Sequence, residues 1–182
     1  MLLKRKTSAE TLKLQEKYGV PYLVFPSLEN TGLVRHAFST RLGGCSTGDL
    51  ATMNLSSTRG DDPENVKENF RRFGAAVGFD PKDLVLSLQT HTTNVRLVTE
   101  EDRGKGFTRP RDYKDVDGLI TNVPGLVLAT FYADCVPLYF VDPVHRAIGL
   151  SHSGWRGTVN RMGAVTLQRM KEAFGTSPSD VW

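Results

Sequence analysis

Between charged neighbours, Val66, Phe70, Phe73 and Val77 recur at spacings of four, three and four. That is the apolar stripe of an amphipathic helix. Asp62 stands where an N-cap belongs, Pro63 suits the first helical position, and Gly78 supplies a left-handed stop. A second helical pattern runs from Gly157 to Gly175, with Val159, Gly163, Leu167, Met170 and Phe174 on one face. Near the start, Thr7 to Glu10 (TSAE) has the form of a capping box, which predicts a short helix ending before Gly19.

The remaining apolar runs are short and read as strands. PYLVFPSL and GLVRHAFSTR come first; the second carries His36 and delivers Arg41 to its end. RLGGCSTGDLATMNL follows as a loop, where Gly43 and Gly44 permit positive φ and close backbone approach to a ligand. DLVLSLQTHTTNVRLVT is a strand, a polar break at His91, and another strand. DGLIT, LVLATFYA, PLYFVDP and AIGLSHSG are buried strands in quick succession, with NVPG and DPVH as turns. Consecutive strands joined by turns pair antiparallel. The expected fold is therefore α/β of the α+β kind, mixed sheets packed with helices, and not a doubly wound parallel sheet. SDVW begins a further strand pattern where the chain stops. The expectation is a single domain over residues 1–182, truncated at its C-terminus.

Composition narrows the classes. The 182 residues, 39% hydrophobic and 24% charged, suffice for one core without staples. No apolar run approaches the roughly 20 residues of a spanning helix, and the basic start has no apolar stretch after it. A cytoplasmic protein without a membrane partner is expected. The net charge of +3 comes from scattered basic residues, so no nucleic-acid partner is expected. The same balance suits a small anionic substrate. Cys45 and Cys135 form no CxxC and read as two free thiols. The oligomeric state stays open.

Three residues stand where a strand pattern meets a polar break: His91, Cys135 and His152. One thiolate and two imidazoles suit zinc, and three protein ligands leave the fourth position open, as in catalytic sites. Copper competes for the same donors in vitro, because it outranks zinc in raw affinity. Asp134, Ser151 and Ser153 lie close enough in sequence to orient these ligands. The competing reading is a buried structural Cys and His. Arg41 beside Gly43 and Gly44, and Arg156 two residues before the expected helix start, point to a phosphate or carboxylate pocket aided by the amides near Gly157 and Thr158. Two surface ion pairs are the alternative. Trp155 reads either as a base-stacking ring or as core.

HAFSTRLGG, NLSSTRGDDPENVKENF, LQTHTTNV, DVDGLIT, ADCVPLYFVDP and SHSGWRGTV occur in that order. Together they resemble the laccase-domain family, also called multicopper polyphenol oxidoreductase-like proteins or peptidoglycan editing factor. The resemblance covers most of residues 33–182, and ADCVP followed by SHSGWRGT is its most specific part. It implies a zinc-dependent purine nucleoside phosphorylase, acting on adenosine, inosine, guanosine and methylthioadenosine, that also deaminates adenosine. The partners implied are a small-molecule nucleoside and phosphate. It further implies a metal set of His91, Cys135 and His152, catalytic roles for Arg41, Cys135 and Arg156, and substrate binding by Arg41, Gly44, Asn54 and Arg156. The implied fold is similar to that of bacterial toxin deamidases with a Cys-His pair. Members continue into a Gly-Pro-Cys-Cys loop that this chain lacks.

Laccase chemistry is not expected, despite the family's older name. Several copper ions need many imidazoles, and the chain has four histidines, His36, His91, His145 and His152, with no His-x-His pair. Two other readings stay open: a metal-free Cys-His hydrolase or amidase on amide or cell-wall peptide substrates, with Cys135 as nucleophile, and a non-enzymatic binding module.

Overall fold

The structure is a computed structural model that describes residues 11–182. It comprises two compact units, residues 1–78 and 79–182. The capping box at Thr7 to Glu10 lies outside the described residues. The helix expected to follow it is not formed. Residues 13–17 are instead a strand, β1 (Lys13–Lys17), paired antiparallel with β2 (Val20–Val24). Tyr18 and Gly19 make the two-residue turn between them, both at positive φ (53° and 73°). That combination matches the right-handed twist of a hairpin, and a Tyr-Gly pair does not advertise it in sequence.

In the first unit, α1 (Pro26–Glu29) is a single turn, and only Phe38–Ser39 (β3) of GLVRHAFSTR is strand. The sheet order is β1-β2-β3. His36 lies outside the strand, where its Nε2 accepts the Phe25 N–H at 2.8 Å. α2 (Pro63–Val77) forms as the apolar stripe predicts, with the Asp62 carboxylate accepting from the Glu64 N–H and Gly78 in the left-handed conformation. Its buried face, Val66, Phe70 and Phe73, packs on β1 and β2, and Phe73 meets Tyr22 edge to face at 6.4 Å.

In the second unit the strands are β4 (Leu84–Leu86), β5 (Val95–Leu97), β6 (Gly118–Thr121), β7 (Val127–Ala129), β8 (Val136–Asp142) and β9 (Ala147–Ser153). They form a four-stranded sheet of order β5-β6-β9-β8 and a separate parallel pair, β4-β7. Antiparallel pairing of neighbours in sequence holds for β8 and β9. It fails for β6 and β7, which the NVPG turn sends to different sheets. Val85, Val98, Val116, Leu119 and Leu126 are buried together beneath them.

The last helical pattern is two helices, α3 (Trp155–Val159) and α4 (Met162–Phe174). Arg161, left-handed at φ 59°, breaks the register between them. The break turns Val159 out to solvent, and the buried face of α4 becomes Met162, Thr166 and Met170. Met170 packs with Ile120 and Ala147 of the sheet. The expected terminal strand is a short 3-10 turn, Pro178–Asp180, after which Trp182 exchanges both backbone hydrogen bonds with Val141 of β8. The α/β class with mixed sheets is as expected.

Candidate metal centre

The site is organised by a residue the sequence reading did not single out. Asp117 sits just before β6, fully buried, and its carboxylate accepts the backbone N–H groups of Thr90, His91 and Thr92 at 3.1, 3.0 and 2.9 Å. The Thr92 hydroxyl donates to it as well. Three successive amides converging on one anion form a nest. This nest holds His91 at φ 65°, a left-handed conformation uncommon for a residue with a side chain. The other carboxylate oxygen-bonded partner is His152, whose Nδ1 lies 2.9 Å from Asp117 Oδ1. Burial pushes this carboxyl up, but the donors from Thr92, Thr90 and His152 outweigh it and hold it below its ordinary value. An ionised carboxylate accepts only, so His152 Nδ1 is the donor, which leaves Nε2 as the ring atom that would face a metal.

His152 lies within β9, buried, one residue from the strand's end. Cys135 does not end a strand as its sequence context suggests; it immediately precedes β8, whose first residue pairs with Ser153 of β9. This register places Cys135 beside the end of β9. The His91 Nε2 and Cys135 Sγ atoms are 3.8 Å apart, and the ligand atoms of His91, Cys135 and His152 all lie within 4.8 Å of one another. The two imidazole rings meet edge to face at 5.0 Å.

These donors fit a zinc ion. Two ligands of a tetrahedral zinc stand about 3.3–3.6 Å apart, so a small inward movement closes the set. Gly154 keeps the space open: a Cβ there would come within 2.8 Å of the His91 ring and 3.1 Å of Cys135 Sγ. The Cys135 thiol, taken alone, is pushed up by burial and by the Asp134 carboxylate. A metal cation held there would reverse that field and favour the thiolate of Cys135 as its ligand. Tyr132 completes the surroundings, its ring 5.5 Å from His152 and its hydroxyl donating to the Ser151 carbonyl.

Of the three residues expected to orient the ligands, Ser151 bonds instead to Thr166 of α4 and Ser153 to Thr158 of α3. Asp134 approaches the Cys135 sulfur at 3.7 Å. Arg156 lies within α3 rather than ahead of a helix, and the Thr158 amide already donates to Gly154 O. Its guanidinium is exposed and rests over the Trp155 ring at 5.2 Å. Trp155 itself is 71% exposed, so it is not core.

Arg41, Gly44 and Asn54 belong to the first unit, in one loop. Arg41 is exposed, and its Nη2 donates to the carbonyls of Asp49 and Ala51. Gly43 takes the positive φ, while Gly44 is required by packing: a Cβ would fall 2.0 Å from the Thr52 carbonyl oxygen. Asn54 donates to Asp61 and accepts from the Ser56 N–H, ordering the loop's far end.

The chain is a mixed α/β protein in which two imidazoles and a thiol, with a buried carboxylate bonded to both histidine residues, form a group that could hold a metal ion. Residues 35–182 match the model of the multi-copper polyphenol oxidoreductase laccase family, and the chain belongs to that family. Among its relatives, a purine nucleoside phosphorylase of Bacteroides thetaiotaomicron is 38% identical over 87% of this chain and 59% of its own length. One from Deinococcus radiodurans is 41% identical over 84% of this chain and 54% of its own. The crystal structure of YlmD from Geobacillus stearothermophilus superposes with a TM-score of 0.81 at 32% identity, covering 96% of this chain and 63% of that one. A Bacillus licheniformis protein, YfiH, gives 0.83 at 30% identity, covering 92% and 62%. The chain thus spans a little over half the length of the curated relatives it matches. The family's description speaks of several coppers. Among the described residues one group of three donors is assembled; His36 accepts from Phe25 in the first unit, and His145 pairs with Asp142 at 2.8 Å.

Proposed function

We propose that this chain carries the zinc centre of a purine nucleoside phosphorylase that also deaminates adenosine. The observation that carries the reading is the His91, Cys135 and His152 set fixed by Asp117, in a chain whose relatives are named purine nucleoside phosphorylases. Adenosine, inosine, guanosine and methylthioadenosine are the proposed substrates, with phosphate as co-substrate.

A zinc ion held by these three residues supplies a Lewis acid that polarises a substrate oxygen or acidifies a water. The chain's own residues do the rest. Asp117 holds the His152 ring through Nδ1 and the His91 backbone through its N–H, so both residues are positioned by one carboxylate. Cys135 acts as ligand, not nucleophile; a metal-free Cys-His hydrolase needs a thiol with a lowered pKa, whereas burial and Asp134 raise this one. Arg41 and Arg156 are the proposed phosphate ligands. A guanidinium fork matches phosphate oxygens, so each arginine is by itself a candidate to position the anion that attacks C1′ as the base leaves. Gly44 and Asn54 shape the loop that carries Arg41.

The test is phosphate-dependent formation of ribose 1-phosphate from inosine. Arg41→Ala is expected to abolish it with zinc content unchanged. Turnover unaffected by that substitution would sink the assignment.

A further inference from the structure

The centre is bordered by an exposed apolar surface that the metal assignment does not use. Trp155 follows Gly154, where a Cβ would come within 2.8 Å of the His91 ring and 3.1 Å of Cys135 Sγ. Consecutive α-carbons are ~3.8 Å apart, so the tryptophan begins at the rim of the site. It is 71% exposed; Val159, one turn on along α3, is 73% exposed, and Val136, the residue after Cys135, is 54% exposed. Val136 is also the β-partner of Ser153, which places it across from the start of α3. Arg156 holds its guanidinium over the indole. Trp155 is thus a large ring, anchored at its backbone by a buried strand end, exposed to solvent and with a cation over one face.

An exposed tryptophan costs free energy unless something covers it. The patch is too small for a stable dimer: a tryptophan offers at most about 250 Å², whereas a specific interface takes about 800 Å² per partner. Two valines do not make up the difference. A flat heteroaromatic ring is the right size. The Arg156 charge beside the platform complements the anion that accompanies such a ring in a phosphorolytic site.

We infer that Trp155 is the base platform of the site, stacking the purine ring of a nucleoside whose ribose reaches the His91, Cys135 and His152 centre. The inference deepens the phosphorylase reading and rests on it for the identity of the ligand. Val136 and Val159 flank the ring and exclude water from its edges. Stacking tolerates every purine, because each has a π-face. The platform therefore predicts a broad purine range and discrimination by ring area, pyrimidine nucleosides binding more weakly.

The test uses the Trp182→Phe protein, in which Trp155 is the sole tryptophan. Inosine and free hypoxanthine are expected to quench its fluorescence saturably, and ribose is not. Trp155→Ala, in the full chain with zinc content unchanged, is expected to raise the Kd for inosine about tenfold or more, and Trp155→Phe to restore most of the affinity. Three results would overturn the platform: an unchanged Kd in Trp155→Ala, quenching by ribose equal to that by inosine, or a change of oligomeric state in Trp155→Ala without loss of inosine affinity. The two readings fail separately. Saturable quenching by purines without any ribose 1-phosphate keeps the platform and removes the phosphorylase. Phosphate-dependent turnover with a KM indifferent to Trp155→Ala keeps the phosphorylase and removes the platform.

Discussion

Asp117 joins two segments far apart in sequence, the 90–92 turn and the end of β9, at the point where His91 and His152 must converge. Asp117→Asn preserves shape but replaces an acceptor that can serve all these donors with an amide carrying two N–H groups of its own. The expected outcome is a 10- to 100-fold loss of zinc affinity in chelator competition, with the circular dichroism spectrum retained. Affinity within about twofold of wild type would mean that the histidines need no such anchor. His36 offers a pH test. Burial, opposed by the Glu29 charge, holds its pKa below the ordinary 6.5. The unfolded chain then binds the proton first as pH falls, so stability declines from pH 6.5 downward until the folded state is protonated too. His36→Gln keeps an acceptor for the Phe25 N–H. Its urea midpoint is expected to vary less than that of wild type as pH falls below 6.5; parallel curves would count against the assignment. His91, Cys135 and His152, the donors that the fold brings together, were legible as residue types at strand breaks. Asp117 was not, because its role depends on pairings across 25 to 35 residues that no local pattern encodes.

Among the elements, α2 was legible from cap to cap, since its signals are local: Asp62, Pro63, a stripe and Gly78. Asp62→Ala is expected to cost about 1 kcal/mol of stability, read from denaturant unfolding. The break between α3 and α4 was not legible, because Arg161 is forced left-handed where its residue type gives no sign of it. That break decides which face is buried. Met170→Ala, at a fully buried position against Ile120 and Ala147, is expected to destabilise by about 2–5 kcal/mol. The same change at Val159, exposed beyond the break, should cost no more than about 0.5 kcal/mol. The reverse order would restore the single continuous helix. Strand identities were likewise readable from apolar runs, but their partners were not. β4 pairs with β7 and β5 with β6, both parallel, and turn residues carry no information on such crossovers.

At the scale of the molecule, His91, Cys135 and His152, which could hold a metal ion, all lie in the second unit together with Asp117. A ligand bound only by the folded state stabilises it by mass action. The measurement that bears most directly on the whole account is the metal content per chain, by mass spectrometry, of wild type and of Cys135→Ala purified alike. The account predicts close to one zinc per wild-type chain and almost none in the variant. Equal metal in both proteins, or none in either, would contradict it.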